Sequence, residues 1–187
     1  MLQYTPPVRS VLIRALFLLF VILLFAVHPA HAQVGKGSAS FTAWNLMKTL
    51  SMENSITGKT REVSVFVIGD REVAAELSSK VGESIGAATL QHVDSGYGLP
   101  ATPPDVIYIG NPDDYMIDSA KLQALVGYAR DNKVLSVTYE PILIYKGVTL
   151  GIGAQESGTA KFMLNLQASK EQGLSWNKAF VKLAETL

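Results

Sequence analysis

The 187-residue chain contains no cysteine. That excludes disulfide staples, thiolate nucleophiles and thiolate metal sites, and also a lipid-anchored amino terminus, which needs a cysteine to acylate. Histidine is nearly as scarce: His28 and His31 sit within the first 32 residues, so His92 is the one imidazole beyond them. One imidazole does not build a histidine metal site, and a Ser-His-Asp triad would have to use His92, which reads as a partly exposed strand residue. Positive charge is not in excess either. The first 32 residues hold two of the sixteen basic side chains and none of the sixteen acidic ones, leaving fourteen basic against sixteen acidic. A nucleic-acid binder would show a basic patch or stripe, so no nucleic-acid partner is expected. Phosphate-cradling loops are missing too. Gly151 and Gly153 would need a third glycine at position 156, where Glu156 stands, and there is no Gly-Lys-Ser/Thr. No cofactor, no metal and no catalytic residue is expected, and the chain reads as a non-enzyme.

What is present begins with a leader. Arg9 and Arg14 precede an unbroken apolar run over 15–27, and Ala30-His31-Ala32 supplies small residues for a signal peptidase. The pattern predicts cleavage after Ala32. The alternative is a retained anchor, against which stands the shortness of the run beside the ~20 apolar residues a spanning helix needs. The remaining 33–187 is long enough for one domain with its own core.

Residues 33–38 read as a flexible, glycine-bearing start. From Ser40 the pattern turns helical, with Phe41, Trp44, Met47 and Leu50, widened by Ala43 and Leu46, on the face expected to be buried and Thr42, Asn45, Lys48 and Thr49 on the other. A polar connection over 55–61 leads to 62–68, whose nearly continuous apolar run suits a central strand buried on both faces. Gly69-Asp70 ends that strand, and 71–81 is helical with Gly82 just past its end. A strand over 88–93, a Gly- and Pro-rich loop over 94–104, a strand over 105–109, a helix from Asp118 or Ser119 to about Arg130, and a strand over 134–139 follow. Alternating β and α segments predict an α/β domain, three-layer-like, with a mostly parallel sheet. Strands over 148–152 and 160–166 form a closing antiparallel hairpin. Residues 167–172 are helical, and after Gly173 a last helix carries Trp176, Ala179, Phe180, Leu183 and Leu187 at helical spacing. That stripe reads as core, with Trp176 or Phe180 as an interface anchor the other reading.

In open α/β sheets ligands sit outside the carboxyl ends of the strands. The candidates for a ligand or partner site there are Asp70 and Arg71 after the first strand, Asn111 after the third and Glu140 after the fourth. Backbone amides near Arg71 could receive an anion. Asp70 and Asn111 are also good turn and cap residues, which is their plainer reading. Asp113-Asp114 does not have the spacing of a calcium loop and reads as a solvated turn.

The carboxy-terminal order KFMLNLQASKEQGLSWNKAFVKLAETL resembles the end of the YfiR/HmsC-like family of small periplasmic proteins, as does the strand over 63–70 closing in Gly-Asp. The chain departs from the family pattern in lacking cysteines and in having Ser51-Met52-Glu53-Asn54 where an aromatic-proline turn is usual. Lys161 stands roughly where the family often has arginine, and so is a further candidate for binding a ligand or partner, a solvated lysine being the plainer reading. The resemblance implies a periplasmic regulatory protein that binds the periplasmic part of an inner-membrane diguanylate cyclase and restrains it, in c-di-GMP signalling that can include an outer-membrane partner. A homodimer is left open. The alternative function is a small-solute-binding module serving a transporter.

Overall fold

The computed structural model describes residues 35–58, 60–110 and 119–187, which fall within one compact unit beginning at residue 34. The leader, Asn111, Asp113 and Asp114 lie outside the described residues. Strand β1, Glu62–Ile68, is an inner strand of the sheet, as its apolar run suggests, with parallel β3, Ala88–Gly96, on one side and parallel β4, Val106–Ile109, on the other. Beyond β4 come β5, Leu135–Thr138, and β6, Leu150–Ala154, both parallel. Then follow antiparallel β7, Ala160–Leu164, and the two-residue β8, Glu185–Thr186. On the far side β2, Ser84–Ile85, makes a short hairpin with β3. The described strands therefore form one sheet in the order β2-β3-β1-β4-β5-β6-β7-β8. The fold is α/β with a mostly parallel sheet, a carboxy-terminal hairpin and helices on both faces.

Helix α1, Ala39–Leu50, is capped by Ser38, whose hydroxyl accepts the Phe41 N–H at 3.1 Å. The short α2 is Asn54–Thr57, and α3, Arg71–Ser78, links β1 to β3. Helices α1 and α3 pack on one face, where Leu46, Leu50, Val73 and Leu77 join Val63, Val65 and Tyr108 in one core. On the opposite face α4, Ser119–Asp131, and α5, Pro141–Tyr145, bury Leu122, Leu125 and Ile144 against Ile68, Ile107 and Ile109. The chain thus winds to one side of β1 through α3, then recrosses to β4 and builds outward. Strand order reverses between β1 and β4.

Three expectations are corrected. In α1 the buried positions include Thr42, Asn45 and Thr49, while Trp44 is 54 % exposed. A three-residue spacing cannot hold one face of a helix that turns ~100° per residue: Phe41 and Leu50, nine residues apart, point to opposite sides. Asn45 is tolerated inside because its amide donates to the Phe41 carbonyl at 2.8 Å. The expected loop at 94–104 begins later, since β3 continues through Gly96 along β1. The last helix does not reach the chain end. Helix α6, Leu166–Glu171, is followed by an extended stretch in which Trp176 bridges Glu53, and α7 is only Lys178–Leu183. Asn177 caps α7, accepting the Ala179 N–H at 2.8 Å, and Ala184 turns extended so that the tail pairs along β7. Leu183 and Leu187 are consequently exposed.

Candidate functional site

Asp70 lies at the reversal of strand order and is buried. Its Oδ1 accepts the Val73 N–H at 3.1 Å, capping α3, as turn-and-cap chemistry assigns. An anion at this helix start is thereby forestalled, because the protein's own carboxylate already answers the first turn. Asp70 can tuck beneath β4 because the next strand leaves through Gly110: a Cβ there would run into the Asp70 side chain and stand 2.9 Å from the Ile68 carbonyl.

Across this strand-end cleft runs the segment 35–38. Gly35 pairs antiparallel with Ala154, the end of β6, through two backbone hydrogen bonds of 3.0 Å. The next residue, Lys36, places its ammonium 3.0 Å from Asp70 Oδ2 and 6.0 Å from the centre of the Tyr139 ring. Burial pulls the Lys36 ammonium down, but contact with Asp70 and its charge, with smaller help from Tyr139 and Glu72, outweighs this, so its pKa is raised. Under the segment lies Tyr108, fully buried on β4. Burial, chiefly, and the nearby Asp70 charge push its hydroxyl well above the ordinary phenol range, with the Thr42 hydroxyl opposing. The residues expected to be flexible therefore supply the cleft's cation.

The sequence candidates separate in space. Asp70 and Arg71 are together; Arg71 is exposed, its guanidinium 5.9 Å over the Tyr97 ring, beside a hollow of about 210 Å3 floored by Gly69 and Gly96. Glu140, half-buried at the end of β5 two strands away, precedes Pro141 and makes no side-chain cap to α5. Lys161 on β7 is four strands from β1, about 19 Å at the usual strand spacing, and pairs with Glu185 at 2.8 Å. Lys36, Thr42, Tyr108 and Tyr139 were not candidates in the sequence. A lone lysine between two glycines carries no local signal, and Tyr108 reads only as part of an apolar run.

A second surface is larger. A groove of about 740 Å3 lies between α1, the start of β7 and α7, lined by Phe41, Trp44, Phe162 and Leu183 with Lys48 and Lys80. Trp44 and the 63 %-exposed Leu183 give it apolar surface, and the Lys48 ammonium sits 4.6 Å over the Trp44 ring. Among the described residues no group of three or more His, Asp or Glu side chains is placed to hold a metal, and no helix is long and apolar enough to cross a membrane.

Sheet order, helices on both faces and a strand-end cleft crossed by the protein's own amino-terminal segment define an open-sheet α/β domain. The family model described as YfiR/HmsC-like matches residues 36–185, from Lys36 in the cleft to the last strand, and the chain belongs to that family. No curated protein gives a match. Among solved structures, a conserved domain protein from Vibrio cholerae O1 biovar El Tor is similar at 13% identity and a TM-score of 0.48, over 81% of this chain and 60% of that one. An ABC domain in complex with L-Trp from Streptococcus pneumonia is similar at 13% identity and 0.48, over 82% and 64%. The chain thus spans under two thirds of each of these two proteins.

Proposed function

We propose that the chain is an exported, non-enzymatic regulator of the bacterial periplasm that binds the periplasmic part of a membrane diguanylate cyclase and restrains it. Membership of the YfiR/HmsC-like family supports this role, as does the leader pattern in the sequence. The observation that carries the reading is Trp44: a large aromatic that the core does not use, facing outward on a rigid helix beside Leu183 and two lysines. Buried aromatics anchor protein interfaces, and the lysines suit an apolar segment with acidic flanks. Restraint requires tighter binding to the inactive conformation of the cyclase, and each tenfold preference shifts its equilibrium by ~1.4 kcal/mol. An outer-membrane partner that competes for the regulator would relieve the restraint.

The test is c-di-GMP production by proteoliposomes carrying a membrane diguanylate cyclase from the same organism that has a periplasmic domain, with the purified protein on the periplasmic side. Output falls with the wild-type protein, and Trp44→Ala needs at least ten times more protein for the same effect. Undiminished output with both proteins folded and correctly oriented sinks the proposal.

A further inference from the structure

The strand-end cleft holds more polar chemistry than its occupant satisfies. Lys36 is the ion-pair partner of Asp70 Oδ2 at 3.0 Å, and this oxygen, on a side chain 2 % exposed, has no partner besides that ammonium. The Tyr108 and Thr42 hydroxyls, both fully buried, lie beside one another and have no partner beyond that mutual contact. Tyr108 experiences the charge of Asp70 and the presence of Tyr139, whose ring faces the same ammonium. Four groups from α1, the ends of β1 and β5, and β4 therefore meet where the sheet reverses, and three of them have unused hydrogen-bonding capacity. Buried polar atoms are ordinarily well paired, so three with capacity to spare together mark a place built for something else.

An alkylammonium carries three N–H donors and a charge. Lys36 delivers the charge, but its backbone follows the Gly35–Ala154 pair, and its ammonium is paired with Asp70 Oδ2 alone, leaving the Tyr108 and Thr42 hydroxyls to each other. A free ammonium of the same kind has no such tether. We propose that the cleft is a binding site for a small organic primary ammonium ion, and that Lys36 is its tethered occupant until a ligand displaces the segment 35–37. The segment's described attachments suit displacement: two backbone hydrogen bonds to Ala154, one ion pair whose lysine side chain is 36 % exposed, and that lysine's approach to the Tyr139 ring. A tethered competitor acts at an effective concentration of order millimolar, so an incoming ligand must outcompete it, and removing the lysine charge must raise apparent affinity.

The test uses the purified protein and n-butylammonium chloride, with sodium chloride at equal ionic strength as control. For Lys36→Met the melting temperature rises with butylammonium by about 5–10 °C at a hundredfold excess over Kd. The wild-type protein needs at least ten times more butylammonium for the same shift, and Lys36→Met/Asp70→Asn does not respond. A response no larger than that to sodium chloride overturns the proposal, since the spare capacity of these atoms then holds only water. An equal response in the double variant also overturns it, by placing binding elsewhere. If Lys36→Met does not fold, hydrogen exchange of the wild-type protein decides. The Ala154 amide, bonded to Gly35, exchanges at least tenfold faster in saturating butylammonium than in sodium chloride, and an unchanged rate overturns the proposal.

Discussion

Glu53 and Ser175 are 122 residues apart in the chain, yet the Glu53 carboxylate accepts the Ser175 backbone N–H at 2.6 Å. The same buried carboxylate accepts the N–H groups of Ser55 and Ile56 and the Ser55 hydroxyl, so it is satisfied entirely by donors of the protein without a cation. Two backbone bonds flank the contact, Asn54 N–H to the Ser175 carbonyl at 2.7 Å and Asn177 N–H to the Met52 carbonyl at 2.8 Å. The sequence Ser51-Met52-Glu53-Asn54 thereby fastens the end of α1 to the approach to α7.

Replacing that carboxylate leaves several buried donors unanswered. Glu53→Ala should cost about 3 kcal/mol or more, and Glu53→Gln, which turns an N–H2 group toward N–H donors, about 1–2 kcal/mol. Urea unfolding followed by circular dichroism measures both, and a loss under 0.5 kcal/mol for Glu53→Ala would contradict the role assigned to it.

The two tryptophans should respond in opposite ways. Trp176 packs 4.9 Å from the buried Phe180 ring, and its indole N–H donates to Ser169 Oγ at 2.8 Å, so Trp176→Ala should lose about 3–5 kcal/mol. Trp44→Ala should stay within about 1 kcal/mol of wild type, since its ring is more than half exposed and belongs to neither core cluster. Thermal melts of the two variants side by side check the contrast.

Crowding at the reversal point can be tested at one glycine. Gly110→Ala should cost about 1–3 kcal/mol, because its methyl group meets Asp70 and the Ile68 carbonyl. Gly98→Ala, whose added methyl meets nothing within 4 Å, is the control and should be close to neutral. Equal melting temperatures for the two would show that the cleft is looser than described.

The Lys36–Asp70 pair has a pH signature. Because the Lys36 pKa is raised in the folded protein, its contribution is fully present below the ordinary lysine value of 10.5 and fades as pH rises through the higher folded value. The gap in melting temperature between wild type and Lys36→Met should hold across pH 6–9 and shrink above the ordinary lysine range. A gap unchanged to the alkaline limit of folding would mean that packing of the lysine stem, rather than its charge, stabilises the segment.

The parts legible in the sequence are those whose physics is local or saturated. The apolar run of β1 announces an inner strand, although its Ser64 and Phe66 face is only half-buried, Gly69-Asp70 announces a turn and cap, and the β–α alternation a parallel sheet. Asp70 stands out in the sequence because strand ends are where such sheets expose polar chemistry, and the structure places it there as the cap of α3. Its partner does not stand out, because what places Lys36 is pairing between Gly35 and Ala154, and no neighbouring residue encodes it. The outward Trp44 was misplaced by a three-residue spacing that drifts around a real helix. The shortened α7 depends on an Asn177 cap and on strand pairing with β7, both outside what an apolar stripe reports.

The sheet's outermost strands, β2 and β8, are two residues each. Each of these outermost strands offers a second molecule a template of only two residues. The stretch of β3 that runs on past β2 is bulged against β1 and carries the exposed polar side chains of Gln91, His92, Asp94 and Ser95. Such edges discourage sheet-to-sheet growth. For a chain without covalent cross-links, resistance to aggregation then resides in how the sheet ends rather than in how tightly its centre is packed.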